Sequence, residues 1–206
     1  NKRSQKFIIL GWDQLLLLIV GIIVGHFSTG FASIASFALI YVFMYIMVVQ
    51  VLPVGLQYEL HKQYIYLLPG KPWQKILAIN VLLSLKAIMR ALTLVLPIWI
   101  LSNLTFVETL GIFLFIMSVD ILVLFGMSVV NVISPMLDSR NVLTVYLRFA
   151  IFALSMAPAI LVALLIGFSS RSLLLGYFGF AFGALLTLFL QLFAADRIFW
   201  RMEMPN

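Results

Sequence analysis

The sequence has no cysteine, only two histidines, and charge on just 10% of its residues. Without cysteine there is no disulfide framework, thiol nucleophile or thiolate metal site. Metal sites need several His or carboxylate groups together, so no metal is expected from His26 and His61. Serine hydrolysis needs a base and an oriented third group, and His26-Phe27-Ser28 offers neither arrangement; His26 reads as a helix-end residue. A P-loop needs a Gly-rich turn ending in Gly-Lys-Ser or Gly-Lys-Thr. The one Gly-Lys pair here, Gly70-Lys71, is followed by Pro72. The chain is therefore not expected to be an enzyme or to bind a cofactor, and any ATP and Mg that drive it belong on a separate subunit. No short apolar stretch ends in a small-residue cleavage site, so no signal peptide is expected.

What is present is apolar. Hydrophobic residues make up 64% of the 206 residues, and the mean hydropathy is +1.17. A soluble domain of this length needs more polar surface. Stretches such as Leu15 to Val24 are apolar on every side and lack the alternation of barrel strands, so the reading is helical. The expected fold is all-α: one transmembrane domain over residues 1–206 with six spans of about 20 residues each. They run from about Ile8 to Gly25, Phe31 to Val54, Lys75 to Leu101, Val107 to Val132, Arg148 to Phe168 and Leu173 to Ala195. Asn1 to Lys6, basic and polar, read as the end of an interfacial helix.

The net charge of +6 does not indicate nucleic acid, because the cations sit at helix ends rather than on one face. They report orientation instead. With the N-terminus inside, Lys2, Arg3, Lys6, Lys62, Lys71, Lys75, Arg140, Arg148, Arg197 and Arg201 are all cytoplasmic. Arg171 alone lies outside, and Lys86 and Arg90 fall within a span. Both termini are therefore placed in the cytoplasm. External connections are short, at His26–Gly30, Ser102–Phe106 and Ser169–Ser172.

The longest connection, Gly55 to about Gln74, is cytoplasmic, and long loops tend to carry function. In it, Leu60, Tyr64, Leu67 and Leu68 fall at roughly helical spacing, with Glu59, His61, Lys62 and Gln63 between them. Pro69-Gly70 forms a turn, and Pro72 suits the first turn of the next helix. Trp73 suits the membrane interface. By itself this is a short amphipathic helix and a turn, either a docking element or a plain connector.

This arrangement resembles the permease subunits of ABC-2-type exporters. The resemblance rests on Glu59, Leu60, Leu67, Leu68, Pro69, Pro72 and Lys75, together with the six spans and N-in orientation. The size and the wording LLPGKPWQKI are most similar to permeases of Gram-positive peptide exporters of the phenol-soluble modulin type. The resemblance implies that the loop docks on a cytoplasmic ABC ATPase through Glu59, Leu60, Tyr64, Leu67, Leu68, Pro69 and Lys71. It also implies a second permease subunit, identical or related, a location in a bacterial plasma membrane, and export of amphipathic peptides or other hydrophobic substrates. Two other readings stand beside it. One is a six-helix substrate-binding subunit of a vitamin importer; the other is a membrane scaffold without transport.

Charges inside spans are costly and often functional. At ~1.5 Å per residue, Lys86 lies roughly 16 Å from Lys75, and Asp120 roughly 20 Å from Val107. Both depths fall near the middle of the membrane, so a Lys86–Asp120 pair is feasible, with Arg90, one turn further out, as a second candidate partner. At 100° per residue, Lys75, Lys86, Arg90, Thr93 and Pro97 share a face, while Asn80 and Ser84 lie elsewhere. That face suits a polar route, a subunit contact or a structural ion pair. Asp13 is placed at the interface. Gly176, Gly179 and Gly183 permit close helix approach, and Pro97 and Pro158 are candidate kinks.

Overall fold

The computed structural model describes residues 12–28, 30–51, 72–133 and 142–203. Within them the chain is helical apart from short connections. The helices are α1 (Trp12–Phe27), α2 (Phe31–Val51), α3 (Pro72–Leu101), α4 (Phe106–Ile133), α5 (Val142–Ser170) and α6 (Leu173–Glu203). Segments Leu83–Leu101, Phe106–Val130, Phe149–Ser170 and Leu173–Ala194 are long and apolar enough to cross a membrane. The first two helices contribute shorter apolar stretches, Gln14–Phe27 and Phe31–Val42.

Local chemistry sets the helix ends. Thr105 and Glu108 cap α4 reciprocally: the Thr105 backbone N–H donates to Glu108 Oε2 at 2.9 Å, and the Glu108 N–H donates to Thr105 Oγ1 at 3.4 Å. This capping box satisfies donors that the first turn leaves free. Arg171 has φ 52°, a left-handed conformation that ends α5. Ser172 Oγ then accepts from Leu175 N–H at 3.4 Å as α6 begins. Two residues thus reverse the chain, and α5 and α6 pack as an antiparallel hairpin.

Helix α4 is the centre of the bundle and packs against α2, α3, α5 and α6. Its Ile112, Ile116, Val119, Leu122 and Val123 are essentially fully buried, with Leu94 and Ile98 of α3 and Ile34 of α2. Small residues set the close approaches. A Cβ on Gly21 of α1 would lie 2.6 Å from the Leu94 carbonyl oxygen. One on Gly25 would lie 3.1 Å from the Pro97 carbonyl oxygen and from Ile98 Cα. On α6, Cβ positions at Gly179 and Gly183 meet Ile166 Cδ1 and Val162 Cβ, both at 2.9 Å. The glycines singled out on the sixth span are therefore used in packing within the chain, against α5. Helices α3 and α5 continue through Pro97 and Pro158.

Three helices outrun the apolar spans expected for them. Helix α3 starts at Pro72, α5 at Val142 rather than near Arg148, and α6 continues to Glu203 rather than stopping near Ala195. With 30 residues, α3 is ~45 Å long, well beyond a hydrocarbon core of about 30 Å.

Candidate functional site

One contact between α3 and α4 sets the relative depth of their charges. Asn80 Nδ2 on α3 donates to Ser128 Oγ on α4, so these two residues are level. Lys86 lies ~9 Å and Arg90 ~15 Å beyond Asn80, and Asp120 ~12 Å beyond Ser128. Asp120 is ~15 Å from the Val130 end of its apolar segment, at mid-membrane. Both cations are thus within one turn of Asp120 in depth, but Lys86 is exposed.

Arg90 is the cation that acts on Asp120. Asp120 is 1% exposed, and neither of its oxygens has a hydrogen-bond partner among the described residues. Arg90, half-buried on α3, is hydrogen-bonded with the Tyr45 side chain on α2. Tyr45 in turn stacks on Tyr41 one turn away, with ring centroids 6.3 Å apart. Tyr45, Arg90 and Asp120 thus bring α2, α3 and α4 to one polar point in an otherwise apolar interior. Of the remaining members of the charged α3 face, Thr93 donates to its own helix at Met89 O, 2.7 Å, and Pro97 is buried against the glycines of α1.

Further polar contacts lie off that face. Asn80 is fully buried, and its Nδ2 donates to Ser128 Oγ at 2.9 Å, which donates to Leu124 O at 2.9 Å. This joins α3 to α4 nearer the Pro72 end. On the far side of α4, Gln191 Nε2 donates to Ser155 O at 3.2 Å and Ser155 Oγ at 3.3 Å, joining α6 to α5. Toward the opposite membrane face, Tyr177 Oη donates to Ala35 O at 2.8 Å, and its ring stacks on Phe115 at 4.4 Å. Sequence reading set Asn80 aside and overlooked Ser128, Ser155, Tyr177 and Gln191. The available signal was the scarcity of polar residues in apolar helices, where each needs an internal partner.

Among the described residues no three His, Asp or Glu side chains gather as metal ligands. The chemistry the polar point supports is charge pairing and hydrogen-bond exchange between helices. The loop residues Glu59, Leu60, Tyr64, Leu67, Leu68, Pro69 and Lys71 lie outside the described residues.

A family model described as "Putative ABC exporter" matches residues 1–203. No curated protein and no solved structure matches the chain.

Proposed function

Because the chain belongs to this ABC exporter family, we propose that it is the transmembrane permease subunit of an ATP-driven exporter. It crosses a bacterial plasma membrane six times with both termini in the cytoplasm. ATP and Mg are bound by a separate ATPase subunit. That subunit docks on the Gly55–Gln74 loop through Glu59, Leu60, Tyr64, Leu67, Leu68, Pro69 and Lys71. Two permease subunits, identical or related, enclose the path, and approach of their ATPases moves the loops and alternates access to it. The cargo is an amphipathic peptide or another hydrophobic molecule, for which an apolar path open toward the bilayer is suitable.

The observation that carries this reading is the family match over residues 1–203 of a chain with no P-loop sequence. The four apolar helices support a membrane-embedded component. The test is co-purification with the ATPase encoded beside it, comparing wild type with a Glu59→Arg, Leu68→Asp double variant. Wild type is expected to retain the ATPase, and the folded variant to lose it. A wild-type chain that holds no ATPase overturns the permease reading. A variant that binds as well as wild type overturns the assignment of the loop.

A further inference from the structure

Asp120 occupies an expensive position. It lies at mid-membrane on the most enclosed helix, 1% exposed, with both oxygens lacking a hydrogen-bond partner among the described residues. Buried polar groups almost always have partners, and a group left without one calls for a specific cause. The cation able to supply that partner is one helix away. Arg90 acts on Asp120 through its charge, while its guanidinium is hydrogen-bonded with Tyr45. Counted from the Asn80–Ser128 contact, the two residues differ in depth by only ~3 Å, and an arginine side chain spans that distance by changing rotamer.

The surrounding packing makes such a change consequential. Helices α3 and α4 share a broad seam, whereas α2 packs on α4 and only thinly on α1, with no broad seam to α3 among the described residues. The Tyr45–Arg90 bond is therefore a point attachment between α2 and α3.

We propose that Arg90 is a two-position latch. Bonded with Tyr45, it ties α2 to α3 and leaves Asp120 without a hydrogen-bond partner among the described residues; turned to Asp120, it ties α3 to α4 and frees α2. Each position satisfies one buried group at the expense of the other, which is the condition for two nearly balanced arrangements. Helix α2 leads directly into residues 52–71, so a pull on that loop selects between them. This link to ATP rests on the proposed docking of the ATPase there; the latch itself does not.

The test uses the chain alone, reconstituted in lipid nanodiscs. Having no cysteine, it accepts a spin-label pair without removal of native thiols. Ile40 on α2 and Leu96 on α3 are exposed and suit labelling. Double electron–electron resonance then reads the α2–α3 distance. Tyr45→Phe is expected to enrich the longer distance at least threefold, and Asp120→Asn the shorter, with a separation on the order of 2–5 Å. In an Arg90→Met background, Tyr45→Phe is expected to have no further effect. Shifts in the same direction, an unchanged distribution in both variants, or a Tyr45→Phe effect that survives Arg90→Met each overturn the latch. If Asp120→Asn fails to fold, Tyr45→Phe with and without Arg90→Met decides by the same criteria. Because no ATPase is present, failure of the latch and failure of the proposed docking are read separately.

Discussion

Gly21→Ala tests whether small residues on α1 set the distance to α3. The new Cβ would lie 2.6 Å from the Leu94 carbonyl oxygen and 3.3 Å from Pro97 Cγ. The carbonyl is backbone and has no rotamer to change. Ordinary van der Waals contact begins at 3.4 Å, so the helices must part by about 0.8 Å, the difference between the two distances. One turn on, Gly25 already leaves a Cβ position only 3.1 Å from α3 backbone atoms, so the seam has no slack. A gap of about 0.5–1 Å forfeits roughly a quarter to a half of the dispersion well at each contact. Overpacking of this kind costs about 1–3 kcal/mol, and the gain in helix propensity from glycine to alanine returns roughly 1 kcal/mol. The expected net loss is up to about 2 kcal/mol, or a fall of up to about 8 °C in thermal midpoint for a chain of this size.

Gly167→Ala supplies the comparison. Its Cβ would meet only Gly176 Cα, at 3.5 Å, so the propensity gain is not opposed by a clash. The assay is the thermal midpoint in lipid nanodiscs, followed by tryptophan fluorescence. Gly21→Ala is expected to fall below wild type, and Gly167→Ala to equal or exceed it. A Gly21→Ala variant as stable as Gly167→Ala refutes the α1–α3 packing from which the magnitude was worked.

The buried hydrogen bonds give two further expectations. Ser128→Ala removes the acceptor of the fully buried Asn80 amide and is expected to cost about 1–3 kcal/mol. Asn80→Leu should cost less, because Asn80 Oδ1 has no partner among the described residues; a double-mutant cycle on thermal midpoints checks the order, which a larger loss for Asn80→Leu would reverse. Tyr177→Phe removes only the bond to Ala35 O and keeps the Phe115 stack. It is expected to cost about 1 kcal/mol, whereas Tyr177→Ala should cost about 3–5 kcal/mol, and equal losses would show that the ring contributes nothing.

The positions of the helices were legible because uninterrupted apolar stretches admit few other structures in lipid. Their ends were less so. Asp196–Glu203 continues α6 with charged residues that are compatible with helix but not with hydrocarbon, and Val142–Leu147 extends α5 beyond the charged Arg148; hydropathy marks the charges, not the end of the helix. Arg90 and Asp120 were both singled out, with Arg90 as the second candidate partner after Lys86, but Tyr45 was not. Nothing in an isolated tyrosine near the end of an apolar helix marks which cation it will meet across the bundle. The Gly21-xxx-Gly25 spacing was as visible as Gly179-xxx-Gly183 and carries the same physical meaning, a backbone approached closely by a neighbour.

Burial in this bundle follows small and polar residues rather than apolar content. The α4 segment Phe106–Val130 and the α5 segment Phe149–Ser170 are similarly apolar, yet 72% of the first is buried in the chain against 17% of the second. In water the more apolar surface would be forced inward. In lipid both environments are apolar, and that force between helices disappears. What remains is how closely a helix can be approached and whether its polar groups need partners. Helix α4 carries Gly111 and Gly126, where Cβ positions meet Leu174 Cδ1 at 2.7 Å and Ser155 Oγ at 3.0 Å. It also carries the buried Thr109, Ser118, Asp120 and Ser128. Placing this helix at the lipid surface would expose Asp120 to hydrocarbon, whereas α5 can present Leu154, Leu161, Leu165 and Phe168 there without loss. Asp120, buried on this helix, is thus also a reason the four neighbouring helices gather around α4.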